Sequence, residues 1–249
     1  MRYALWIAHE VLYHWLGGTC EMTITDKKTL EDILAALEGC QRIFIVGCGD
    51  CATVCETGGE YEVEEMKKAL EAAGKTVVGT AIPDSTCEVL VTKKELRQHR
   101  EATEAADAFL VLSCGAGVQA VTSLVEKPVV PGLDTLFLGD TLRKGQFYEW
   151  CSACAECVLA DYAGICPVTR CPKSQLHGPC GGAQDGKCEV DPEQDCVWSL
   201  IYERARKTGQ WDAIAKRMAA PRHYKRTTRP RKRVFEPRRA GLSAARDAE

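Results

Sequence analysis

No stretch of the 249 residues approaches the roughly 18 consecutive apolar residues that a membrane-spanning helix needs, so no span is expected. The N-terminal MRYALWIAHEVLYHWL is interrupted by His9, Glu10 and His14, which the apolar region of a signal peptide would not carry. Histidine is scarce. His9, His14, His99, His177 and His223 are scattered, and no nucleophile or carboxylate pattern recommends any of them, so no catalytic residue is assigned. No internal repeat is evident. An even cysteine count is missing too: the chain has fifteen, which argues against a fully paired disulfide framework.

With no signal or span, the expected location is the cytoplasm, where thiols stay reduced and clustered cysteines lean towards metal ligation. Hydrophobic residues make up 45% and charged residues 27%, ordinary values for a globular chain with one large domain or two smaller ones. The formal charge of −3 hides a division, because residues 216–239 hold eleven Lys or Arg against one acid, Glu236. The body is acidic and the tail basic. Beyond Pro221 the tail lacks periodicity and is expected to be mobile until it meets a partner.

Residues 1–22 read as an N-terminal extension. Trp6, Ile7, Val11, Leu12, Trp15 and Leu16 could share a helical face, yet Gly17, Gly18 and the polar TITD run separate them from the next helix. Met22 is one hypothesis for the natural start.

From Thr25 the pattern is regular. TLEDILAAL predicts a helix, RIFIVG a buried strand, EYEVEEMKKALEAAG an amphipathic helix closed by Gly74, and KTVVGTAI a second strand. KKELRQHREATEAA follows as a helix, AFLVLS as a third strand, VQAVTSLVE as a helix and TLFLG as a fourth strand. The alternation predicts an α/β, doubly wound, mainly parallel sheet of about four strands. This domain spans residues 23–145. A Cys-rich module with C-terminal helices follows over 146–220, in which Val197, Leu200, Ile201 and Ala205 share a helical face, and the basic tail covers 221–249.

Two thiol constellations stand out. Cys48, Cys51 and Cys55 follow the first strand as C-x2-C-x3-C, Cys114 follows the third strand, and Cys87 comes shortly after the second. In open parallel sheets ligands sit beyond the carboxyl ends of the strands, so three loops present sulfur to one crevice. Three clustered cysteines and one remote cysteine are the usual supply for a 4Fe-4S cluster. The bland alternative is that small cysteines simply pack behind the sheet. Cys20 and Cys40 have no partners at ligand spacing. GCGDCA also fits the looser G-x-G-x-x-A nucleotide fingerprint, but Cys48 and Cys51 sit in the turn that would wrap a pyrophosphate, and no acid ends the second strand.

The second constellation packs eight cysteines into forty-six residues: Cys151, Cys154, Cys157, Cys166, Cys171, Cys180, Cys188 and Cys196. Cys151, Cys154 and Cys157 form C-x2-C-x2-C, the opening of a ferredoxin-type run. Eight thiolates match two four-ligand centres, and spacing alone does not separate iron from zinc. His177 reads as a surface or capping residue.

GCGDCATVCETGG, SCGAGVQAV, GICPVTRCPKSQLHGPCGG, GKCEV and CVWSLIYERARKTG resemble the MetV-type iron-sulfur subunit family of methylenetetrahydrofolate reductase, also described as the methylenetetrahydrofolate reductase C-terminal domain family. The likeness covers about residues 23–215. It implies 4Fe-4S centres, two or three in number with zinc as the alternative in one. The implied ligands are Cys48, Cys51, Cys55 and Cys114 in the α/β domain, and the eight cysteines of the second constellation in the C-terminal module. It also implies a separate flavin-containing barrel subunit carrying FMN or FAD and the folate site, since this chain has too few strands for a barrel.

The function expected on that basis is electron transfer from a donor such as ferredoxin or a heterodisulfide-reductase-like complex to the partner's flavin, for reduction of methylene-tetrahydrofolate. The alternative is a zinc-holding docking subunit of the same reductase without a redox role. Nucleic-acid binding through HYKRTTRPRKR is the weaker third reading.

Overall fold

The structure is a computed structural model that describes residues 22–143, 145–219, 225 and 228–234. The expectations for residues 1–21, Cys20 included, and for most of the basic tail lie outside the described residues. Among the described residues, no helix is long and apolar enough to cross a membrane. The chain divides into two compact units. One comprises the chain up to Ala153 together with Cys166–Ser174, the other Cys154–Ile165 together with the chain from Gln175 onward.

The first unit is an α/β fold around a four-stranded parallel sheet. Its strands are β2 (Arg42–Val46), β3 (Thr76–Ala81), β4 (Ala108–Val111) and β5 (Val129–Pro131), in the order β3-β2-β4-β5. Side chains of a strand alternate between faces, and β2 shows the consequence. Ile43 and Ile45 join one buried cluster, with Ile33 and Leu37 and with Val63 and Leu70, while Phe44 and Val46 join another with Leu96, Phe109 and Val121. The first cluster is covered by α1 (Leu30–Ala36) and α3 (Glu60–Ala72), the second by α4 (Val89–Gln98), α5 (Arg100–Ala105) and α6 (Gly115–Thr122). Helices therefore pack on both faces, the doubly wound arrangement expected from the alternating pattern. Thr29 starts α1 by accepting a hydrogen bond from the Asp32 amide, 3.1 Å. Gly74, at φ +84°, ends α3 in a conformation that β-carbon-bearing residues avoid.

The fourth parallel strand is not TLFLG. That stretch belongs to β6 (Leu133–Arg143), which with β1 (Met22–Lys27) and β7 (Gln146–Cys151) forms a second, antiparallel sheet in the order β1-β6-β7. The segment read as a polar TITD run is thus a strand. Ile24 faces inward, and the Thr25 and Thr57 hydroxyls meet 2.6 Å apart in the interior. Gly145, where the α/β domain was expected to end, sits at φ +77° in the β6–β7 turn. The long helix expected from KKELRQHREATEAA is two helices that break at His99, and α4 begins earlier, at Val89.

The second unit has its own small core. Trp198 is buried on α8 (Val197–Thr208), its ring edge-on to Tyr162 at 5.6 Å between centroids, and its indole N–H donates to the Gln175 carbonyl at 3.1 Å. Val197, Ile201, Ala205 and Ile214 of α9 (Trp211–Ala219) complete it. The buried face of α8 carries Trp198, whereas Leu200 is only partly covered. The cysteine-rich run shares in this core: Tyr162, on a 3₁₀ turn at Leu159–Tyr162, anchors it by donating to the Leu176 carbonyl, 2.8 Å.

Candidate metal centre

In the parallel sheet the chain leaves β2 for β3 on one side, and β4 lies on the other side of β2. The crevice between the carboxyl ends of β2 and β4 is therefore the topological switch point, where open sheets bind ligands. Cys48, Cys51 and Cys55 follow β2, and Cys114 follows β4. The first three sit on a tight loop with a single helical turn, α2 (Cys51–Val54). The loop is tied down by its backbone: the Cys48 amide donates to the Gly58 carbonyl at 2.9 Å, and the Gly58 amide donates to the Ala52 carbonyl at 3.1 Å. A β-carbon on Gly58 would stand 2.8 Å from the Leu112 carbonyl carbon and closer still to its oxygen. Glycine here lets the cysteine loop lie directly on the strand that delivers Cys114.

β1 closes the other flank. The Cys55 thiol donates to the Thr23 carbonyl at 3.8 Å, and the Thr23 backbone also hydrogen-bonds Cys51. Burial pushes the Cys51 thiol up to about 11; the Thr23 contact opposes this, while Asp50, Cys48 and Cys114 add to it through their charges. Cys51 thus shares its charge environment with Cys48 and Cys114, and the Thr23 backbone with Cys55. Asp50 is raised by its own burial beside them. A cationic centre relieves both effects, since metal coordination deprotonates thiols that would otherwise keep their protons. By donor type the set fits a thiolate-bound centre.

Cys48 is also buried among the core side chains, and Cys51, Cys55 and Cys114 are half-buried. Cys87 is exposed on the neighbouring loop, with its sulfur 3.3 Å from the Ser85 hydroxyl. That loop reaches the cysteine loop through the Thr86 hydroxyl, which donates to the Gly47 carbonyl at 2.6 Å. Cys40 packs against the core beneath α1.

The eight C-terminal cysteines are distributed over both units. In the first unit, Cys151 ends β7, and Cys166 and Cys171 flank α7 (Pro167–Arg170), which packs on β7. Thr169 joins these segments: its hydroxyl lies 2.8 Å from that of Ser152 and 3.7 Å from the Cys166 sulfur. Arg170 stacks over the Trp150 ring at 4.8 Å, so its charge is spent on a neighbouring aromatic. In the second unit, the Cys188 amide donates to the Gln194 carbonyl at 3.0 Å and the Cys196 amide to Gly186 at 2.7 Å, which places Cys188 and Cys196 on one paired turn. The same unit holds Cys154, Cys157 and Cys180. His177 is exposed and its Nδ1 donates to the Met218 carbonyl at 2.6 Å, capping the end of α9. Among the described residues, no three His, Cys, Asp or Glu side chains converge tightly enough for a single metal ion. No disulfide forms among the described cysteines.

Three contributors escaped the sequence reading. Thr23 acts through its backbone, which no side-chain pattern reveals. Asp50 was overlooked as the acid inside the C-x2-C-x3-C loop. Ser113 precedes Cys114 with a fully buried hydroxyl that has no hydrogen-bond partner among the described residues.

Residues 130–225 match a protein family described as methylene-tetrahydrofolate reductase C terminal, which supports a relation of this part of the chain to that reductase. No curated protein matches the chain, and no solved structure does.

Proposed function

We propose that the chain is an iron-sulfur electron-transfer subunit working beside a flavin-containing methylenetetrahydrofolate reductase. The family match at residues 130–225 supports the association with that reductase. The observation that supports the redox role is that Cys51, at the loop after β2, feels the charges of Cys48 and of Cys114 after β4, and shares the Thr23 backbone with Cys55. Those four thiols would hold a 4Fe-4S centre, which supplies one-electron transfer when bound. The chain's own residues do the rest. The glycine-backed loop fixes the sulfurs, the Thr23 backbone hydrogen-bonds Cys51 and, through its carbonyl, Cys55, and burial of Cys48 keeps water from one side. Cys151, Cys154, Cys157, Cys166, Cys171, Cys180, Cys188 and Cys196 would hold one or two further centres. The flavin, FMN or FAD, and the folate belong to the partner, with ferredoxin or a heterodisulfide-reductase-like complex as donor.

A second reading gives part of the C-terminal set to zinc, the chain then docking the reductase. It is favoured by the paired backbone under Cys188 and Cys196, a rigid turn of the kind that presents two thiolates to a closed structural site. The two readings separate in one experiment. The anaerobically reduced chain is mixed with the oxidised flavoprotein, and flavin absorbance is followed by stopped flow. Electron transfer predicts bleaching that depends on the chain's concentration and is lost in Cys51→Ala. No bleaching by the reduced wild-type chain, or equal bleaching by Cys51→Ala, would end the redox reading.

A further inference from the structure

Far from the thiols, at the amino ends of the parallel strands, α4, α5 and the segment after α6 enclose a cleft of about 430 Å³. Its floor is apolar, formed by Leu96, Leu124 and Val125, and its rim carries Lys93, Arg97 and Arg100. The size is that of a small-molecule pocket. We propose that this cleft binds a small, multiply charged anion whose carboxylate or phosphate groups are set along an apolar body.

Charge is the reason. The chain outside residues 216–239 is acidic, yet three cations line one cleft. Lys93 and Arg97 stand one helical turn apart on α4, a like-charge spacing that disfavours the helix unless something answers it. Helix electrostatics explains only part of the set. Arg97 lies in the last turn of α4, where a cation is favourable, but Lys93 sits mid-helix and Arg100 opens α5, where a cation is unfavourable. Only Arg100 is paired, its Nε donating to Glu104 Oε1 at 2.7 Å; Lys93 and Arg97 have no acidic partner among the described residues. The hydroxyls at the edge do not supply the missing charge. Thr103 donates to the Arg100 carbonyl and Ser123 to the Ala120 carbonyl. Arginine presents a planar fork of donors suited to carboxylate and phosphate alike, and Leu96, Leu124 and Val125 offer nothing to a bare hydrated ion.

The test uses the full chain, prepared anaerobically. Butane-1,4-diol bisphosphate and adipate are titrated separately at constant ionic strength, by calorimetry and by thermal melting. Lys93→Glu/Arg97→Glu is compared with Lys68→Glu, which alters charge on α3 away from the cleft. The expected result is saturable binding of at least one anion, unchanged in Lys68→Glu and weakened at least tenfold in the double variant. The anion that binds more tightly identifies phosphate or carboxylate as the recognised group. Retention of the wild-type circular dichroism spectrum shows that the double variant is folded, and Arg97→Gln, with an expected loss of at least threefold, provides a milder second variant. Equal affinity in all variants, or no saturable binding of either anion to the wild type, overturns the assignment.

Discussion

Replacing Gly58 with alanine tests the packing that brings the two cysteine-bearing strands together. The added methyl carbon would meet the Leu112 carbonyl carbon at 2.8 Å, its oxygen at less, and the Ala52 methyl at 3.1 Å. The principal obstacle is main chain at the end of a central strand, which cannot rotate away as a side-chain tip can. Overpacking typically costs about 1–3 kcal/mol, and a backbone obstacle places Gly58→Ala near the upper end. For a chain of this size about 3 kcal/mol lowers the melting temperature by about 6–12 °C. Gly115→Ala is the companion. It lies in the other loop of the same crevice, where a β-carbon would meet only the Thr135 hydroxyl at an ordinary 3.6 Å, so its melt should stay near the wild-type value or slightly above it. Far-UV circular dichroism melts of the three proteins decide the matter. A Gly58→Ala protein that melts within about 1 °C of wild type would refute the close approach and the loop placement derived from it.

Trp198→Ala should destabilise the second unit by about 3–5 kcal/mol, because it empties the centre of that core and removes the bond to the Gln175 carbonyl. Hydrogen exchange along α8 should accelerate by orders of magnitude, while β2 and β4 stay protected. The Asp107 carboxyl is held well down, to about 2, by the Arg42 guanidinium and by the amides of Arg42 and Gln41. Because the folded value is lowered, the stabilisation is present above the ordinary value of 3.8 and is lost as the pH falls through about 2. Urea midpoints measured between pH 5 and pH 2 should fall less steeply in Asp107→Asn than in wild type, and parallel slopes would contradict the pairing.

Much of the first unit was legible because its strands are buried on both faces. RIFIV and AFLV are short continuous apolar runs, and amphipathic helices alternate with them, which is the pattern of a covered parallel sheet. The antiparallel sheet was hidden for the converse reason. β1 reads MTITDK, a polar-looking stretch whose β-branched residues gain meaning only when paired with β6. β5 is three residues long and ends in Pro131, too short for any periodicity, so TLFLG took its place in the expected sheet. Trp198 displaced Leu200 from the inner face of α8 because burial there is set by Tyr162 and Gln175, segments distant in sequence. At the candidate centre, C-x2-C-x3-C after a strand and a lone cysteine after another pointed to one crevice, and the fold puts β2 beside β4. The role of Thr23 needed the third dimension, since a backbone carbonyl carries no signature in the sequence.

The most direct measurement is iron and acid-labile sulfide, with low-temperature EPR, on anaerobically purified wild-type chain and on Cys51→Ala and Cys114→Ala. The account predicts iron and sulfide in near-equal amounts in the wild type, a reducible cluster signal, and a loss of about four irons with one signal in each variant. Wild-type chain free of iron and sulfide would contradict it, as would variants that keep every iron and every signal.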